Sequence, residues 1–290
     1  MTARMYPQAF LRQRFARAAQ DADVLQPIYT EIADRLCQRL LATKRDFNLI
    51  LDAGAGTGSV SAILHTQDPT RHIVATDLSL ESLKQHPEGS KVCLDLEAPL
   101  PFKNGQFDLV VSNLTLHWID NVPKALLNLG RCLKKDGLFL ASTLGVESFH
   151  ELRTAFADIG DEGGHILPLT DVQSAGSVLQ KVGFSLPVID RDIITIHYSN
   201  FENMYRDLRL AGGNLNPNRR KSLSSPSQLK AMEAAYRKRF ETSDGKLPLT
   251  LEVLYLHGWR PHESQQKPLA PGSATVDLTD VLKTLPSQKS

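Results

Sequence analysis

A doubly wound α/β sheet is implied by three features of this 290-residue chain: apolar runs ending in acids, helical repeats between those runs, and a glycine-rich turn after the first run. Val24, Ile28, Ile32, Leu36 and Leu40 recur every four positions and mark an amphipathic helix ahead of the sheet. Phe47 to Asp52 is a short apolar run closing on an acid and then glycines, which reads as a buried strand and a tight turn. Val60, Ile63 and Leu64 resume helical spacing. The alternation continues through strand Ile73–Asp77, helix Ser79–His86, strand Lys91–Asp95, strand Phe107–Asn113 and a helix carrying Val122, Ala125, Leu126 and Leu129. Lys134 to Gly137 is expected to turn the chain into strand Leu138–Ala141. Strands alternating with helices pair in parallel through right-handed crossovers, so the sheet is Rossmann-like.

Beyond Thr143 the pattern is mostly helical, with Phe149, Leu152, Phe156 and Ile159 on one face and Val172, Ala175, Leu179 and Val182 on another. Val188–Tyr198 and Leu249–Tyr255 alternate like strands and bracket two amphipathic segments, 201–211 and 229–240. These are separated by Gly212-Gly213 and the polar loop 219–226, and the insertion is too small to fold alone. The expected organisation is one domain, 1–290: a helical segment 1–44, a core 45–145, and a C-terminal half 146–260. That half carries a helical cover at 199–248 before the last strand, and a polar tail follows at 261–290.

Composition narrows the function. Thirty-three basic against thirty-two acidic residues leave a net charge of +1, so nothing steers the chain toward nucleic acid or an anionic membrane. Cys37, Cys93 and Cys132 have no metal-ligand spacing, and the nine histidines form neither H-E-x-x-H nor a close His-x-Asp pair. No metal is expected. No apolar run approaches the ~18 residues of a membrane span. Arg4, Arg12, Arg14 and Arg17 precede the first acid, Asp21, which is the composition of an organellar targeting peptide.

The motif with most chemistry in it is Asp52-Ala53-Gly54-Ala55-Gly56-Thr57-Gly58. A dinucleotide fingerprint needs a glycine where Ser59 stands, which disfavours NAD. S-adenosyl-L-methionine makes other demands: an ammonium, a ribose diol, an adenine and a cationic sulfur. Asp52 suits the ammonium side. Asp77, with Leu78 beside it, ends the second strand where a carboxylate can accept from both ribose hydroxyls. Asp95 can accept from the adenine amino group while Leu96 packs on the ring. Each acid alone is also an ordinary turn former.

As a set, these motifs over about 45–145, with Asp95-Leu96-Glu97 and Phe107 to Leu114, resemble the class I S-adenosylmethionine-dependent methyltransferases. Ser112-Asn113-Leu114-Thr115-Leu116-His117-Trp118 is similar to one branch of them. That branch holds the malonyl-acyl-carrier-protein O-methyltransferase of biotin synthesis and the mitochondrial complex I assembly factor that hydroxylates a protein arginine. The stretches 162–165, 168–170, 258–265 and 272–276 are similar to the assembly-factor family, though no mechanism follows from them. The resemblance implies that Phe15 to Ala19 belongs to an opening helix, which competes with the targeting-peptide reading and brings Arg14 or Arg17 near the cofactor carboxylate.

Asn113 ends the fourth strand, next to where the methyl group would lie, and is counted among the cofactor contacts. It lacks the N-P-P-Y continuation that nitrogen-methylating enzymes of bases resemble. Two readings stand for His117: a general base or substrate orienter, or a histidine that holds its loop beside Trp118. His197, Tyr198, Arg206 and Arg209 are candidates to face the substrate, the two arginines either clamping a carboxylate or forming a solvated face. Arg219-Arg220-Lys221 and Arg237-Lys238-Arg239 read as surface. Three functions remain open: an arginine-modifying complex I assembly enzyme, an O-methyltransferase of a carrier-linked or small carboxylate, and a non-catalytic cofactor-binding module. The compartment would be bacterial cytoplasm or mitochondrial matrix.

Overall fold

The computed structural model describes residues 7–86, 89–161, 166, 168–211 and 226–265. The stretches 162–165, 212–225 and 272–276 singled out above lie outside the described residues. Two helices lead, α1 (Gln8–Gln20) and α2 (Ala22–Gln38), followed by a 3-10 turn at Arg39–Ala42. The sheet then begins with β1 (Leu49–Ala53), α3 (Ser59–Gln67), β2 (His72–Asp77), α4 (Leu80–Gln85), β3 (Ser90–Cys93) and β4 (Phe107–Ser112). A 3-10 turn at Leu116–Trp118 precedes α5 (Val122–Cys132) and β5 (Leu133–Leu144). The remainder is α6 (His150–Asp158), α7 (Val172–Lys181), β6 (Ser185–Tyr198), α8 (Phe201–Leu210), α9 (Pro226–Phe240) and β7 (Leu247–Trp259).

The seven strands form one sheet in the order β3-β2-β1-β4-β5-β7-β6. β1 to β5 run parallel, whereas β7 is antiparallel to both β5 and β6. The parallel expectation therefore holds for five strands and stops at the last two, because the chain returns through α8 and α9 as one long hairpin. Strand order reverses between β1 and β4, and a crevice opens beyond the carboxyl ends of the strands at such a reversal. The sheet is covered on both faces. One layer gathers Ile32, Leu36, Ile50 and Met204, and the other Leu51, Val110, Leu126 and Leu179.

Two local expectations are corrected. The buried face of α2 centres on Leu25, Ile32, Ala33, Leu36 and Cys37, one step round from the anticipated stripe, so Val24 is exposed. Lys134 to Gly137 lies inside β5 as an irregularity: pairing slips between Phe107–Leu133 and Leu109–Leu138, and Asp136 takes a positive φ of 63°. The distal segment is what stabilises this bulge. Asp136 N–H donates to the Arg260 carbonyl, Arg260 N–H returns to Gly137, and Arg45 and Gln265 both hold the Asp136 side chain.

Arg260 also caps α5, its Nη1 lying 2.7, 2.6 and 2.7 Å from the carbonyls of Gly130, Arg131 and Leu133. A guanidinium on orphaned C-terminal carbonyls stabilises them by hydrogen bonding and by the helix dipole. An Arg260→Ala variant is therefore expected to lose about 2 kcal/mol, read as a lower urea midpoint; an unchanged midpoint would remove this role.

Candidate active site

The glycine turn leaving β1 is held from both sides. Gly54 and Ala55 N–H both donate to the Thr76 carbonyl of β2 at 2.8 Å. Thr115 Oγ1 donates to the Gly54 carbonyl at 3.1 Å. Gly54 has φ +76°, and a Cβ there would stand 2.2 Å from Thr115 Oγ1, so the site admits only glycine. Gly56, at φ +56°, would place a Cβ in open space within the cleft. Gly58 precedes α3 as its N-cap, and Ala53 is buried behind the turn.

Three carboxylates converge on a cleft of about 1320 Å³, counting its open mouth. Asp52 is fully buried; its Oδ2 accepts from Ser61 Oγ at 2.6 Å, while its Oδ1 has no hydrogen-bond partner. Burial pushes its carboxyl up to about 7. Asp77 accepts from Gly56 N–H at 2.9 Å and from Ser79 N–H at 2.8 Å, and burial raises its pKa as well. Asp95 accepts from Glu97 N–H at 2.9 Å and from the Gln8 amide of α1. Leu78 and Leu96 supply apolar wall beside them.

Asn113 also lines the cleft, but its side chain ties elements together: Nδ2 donates to the Tyr29 carbonyl at 3.2 Å and Oδ1 accepts from Ser142 Oγ at 2.6 Å. Arg14 is not among the lining residues; its guanidinium lies 5.2 Å from the Phe10 ring centroid, and burial lowers its pKa to about 10.

A second pocket abuts the first, and Leu25, Tyr29, Leu114, Trp118 and Ala211 line both. His117 lines this second pocket and a further one shared with Thr143 and Thr170, but not the cleft. Its Nδ1 lies 3.4 Å from Thr143 Oγ1, and burial drives its pKa down to about 3. It is a neutral imidazole at ordinary pH and a poor proton acceptor. Tyr198 is buried in the same pocket and hydrogen-bonds to Asp207. His197, Arg206 and Arg209 are exposed and line none of these walls. The structure does not bring these three to either pocket: α8 turns Phe201, Met204 and Leu208 inward and so points 206 and 209 outward, and His197 lies on an exposed position of β6.

A methyltransferase-domain model matches residues 51–141. The mitochondrial arginine-hydroxylase NDUFAF5 of Danio rerio is 33% identical over 93% of this chain and 86% of its own length. The chain belongs to the class I S-adenosylmethionine-dependent methyltransferases. A malonyl-[acyl-carrier protein] O-methyltransferase of Halorhodospira halophila is likewise 33% identical, over 92% of this chain and 93% of its own. The fold alone is shared with the YcgJ protein of Bacillus subtilis, at a TM-score of 0.54 and 16% identity over 78% of this chain and 98% of that one.

S-adenosylmethionine is the cofactor of this family, and the cleft fits it. Asp52 Oδ1 is a buried acceptor lacking a donor, which an ammonium would supply, and the open face of Gly56 lets a ligand approach the backbone. Sequence reasoning missed Gln8, Tyr29 and Thr115, all of which reach the cleft. Tyr29 sits four residues after Leu25 on the buried face of α2, which is the one signal that pointed to it. Among the described residues no group of three or more His, Cys, Asp and Glu side chains is arranged to hold a metal, and no helix is long and apolar enough to cross a membrane.

Proposed function

We propose that the chain holds S-adenosylmethionine through Asp52, Gly54, Gly56, Asp77, Leu78, Asp95 and Leu96, and acts on one slender acceptor group, an arginine side chain of a partner protein. The observation that carries this reading is the wall common to the two pockets, which brings a smaller, partly open chamber of about 570 Å³ against the cleft. Asp52 would receive the ammonium, Asp77 the ribose hydroxyls and Asp95 the adenine amino group, displacing or sharing the Gln8 amide. The bound cofactor supplies a methyl group on a sulfonium that is already a good leaving group. The residues around it then chiefly orient the acceptor and keep water out. Trp118 and Tyr29 do this from the common wall.

The name of the Danio rerio relative favours arginine as acceptor. The test is intact-mass analysis of an arginine-bearing acceptor protein captured from source cells, with and without this chain. A gain of about 14 mass units would mark methylation and about 16 oxygenation; an unmodified acceptor counts against the reading. A second reading, O-methylation of a malonyl-carrier protein, is favoured by the neutral His117, since an ionised carboxylate needs no base. S-adenosylhomocysteine release with malonyl-carrier protein, and with no arginine product, would replace the first reading by the second. Cofactor binding without product from either acceptor would leave a binding module.

A further inference from the structure

We propose that Asp207 is the specificity-determining residue of the second pocket, selecting a cationic guanidinium over an anionic acyl group. This rests on the acceptor chamber argued above and names what reads its charge. Asp207 projects from α8, whose apolar residues Phe201, Met204 and Leu208 fix the helix against the core. Its side chain is only 15% exposed, and among the described residues lining the pocket it is the one acid, with no lysine or arginine beside it. Tyr198 donates a hydrogen bond to that carboxylate and, with its pKa raised by burial, stays a donor. His117 is held neutral and does not act as a resident cation.

Arg206 does reach Asp207, with Nε and Nη2 each 3.3 Å from Oδ1, but its side chain is 59% exposed, so water screens that pair. A carboxylate offers about four acceptor sites, so a second guanidinium can still bind. Tyr29 and Trp118 line the same chamber, and a cation gains from a carboxylate and from an aromatic ring beside it. A malonyl carboxylate in the same place would meet a like charge with no lysine or arginine among the described residues of the wall, and such repulsion discriminates as effectively as a new contact.

The test is calorimetric titration of the full chain with N-acetyl-arginine amide, the neutral citrulline counterpart and malonate, each with and without S-adenosylhomocysteine. The expected result is binding of the arginine probe alone, weakened roughly 10- to 100-fold in Asp207→Asn. S-adenosylhomocysteine affinity should be unchanged in that variant, and Asp207→Glu should retain the preference for arginine over citrulline. The same arginine affinity in Asp207→Asn, a wild type preferring malonate, or a wild type blind to the arginine probe would each overturn the assignment. Failure of the wild type to bind S-adenosylhomocysteine would overturn the cofactor site instead, because the arginine titration without it judges Asp207 separately.

Discussion

Gly54→Ala is expected to lose S-adenosylmethionine binding and to destabilise the fold by roughly 3–5 kcal/mol. Three effects add. A left-handed φ of +76° strains any residue with a Cβ, by about 1–2 kcal/mol. The new methyl overlaps Thr115 Oγ1 and Cγ2 at 2.2 and 2.4 Å, so the Thr115 side chain must leave. Its departure breaks the hydrogen bond to the Gly54 carbonyl, worth about 1 kcal/mol. A second change, Thr115→Ala, removes those two overlaps but leaves a Cβ 2.8 Å away and the backbone strain, so the double variant should recover only part of the loss. Urea unfolding and calorimetry with S-adenosylhomocysteine read both quantities. Native affinity in Gly54→Ala would mean that the turn is not part of the cofactor site.

The second large effect is a pH dependence centred on Asp52. Its carboxyl stands at about 7 in the fold against an ordinary 3.8, chiefly through burial. Between those two values the unfolded chain has released a proton that the folded chain keeps. Stability from this group is therefore complete below about pH 4 and is lost as pH rises through 7, by on the order of 4 kcal/mol at the upper bound. Cofactor binding should run the other way, because an ammonium against Oδ1 favours the ionised carboxylate: affinity climbs from pH 5 to 7 and then levels. Asp52→Asn should flatten both profiles, raise the stability of the free protein at pH 8, and weaken cofactor binding there. The raised Asp77 carboxyl leaves a shallower residual slope. An undiminished slope in Asp52→Asn would assign the proton to another group.

The three carboxylates that line the cleft were legible because their signals are local. An acid at a strand end followed by glycines announces a turn, and Asp52, Asp77 and Asp95 each follow an apolar run whose register is visible in the sequence. The second pocket depends on long-range docking and was not. Spacing shows that Arg206 and Arg209 share a face of α8, but only the burial of Met204 and Leu208 decides that this face looks outward. Asp207, between them, turns inward. Gln8 meets Asp95 because α1 folds across the mouth of the cleft, a contact spanning 87 positions that no local pattern records. Nor does alternation in a strand carry direction, so the antiparallel run of β6 and β7 was hidden although both strands were located.

Arg260, Ser264 and Gln265 grip the chain where β5 begins, at the amino-terminal rim of the sheet, across the molecule from the carboxyl-terminal rim where the glycine turn lies. Damage there reaches the protein through its lifetime. Cells carrying a change in this segment would hold fewer copies, each turning over at the ordinary speed, so a defect traced to it is one of supply.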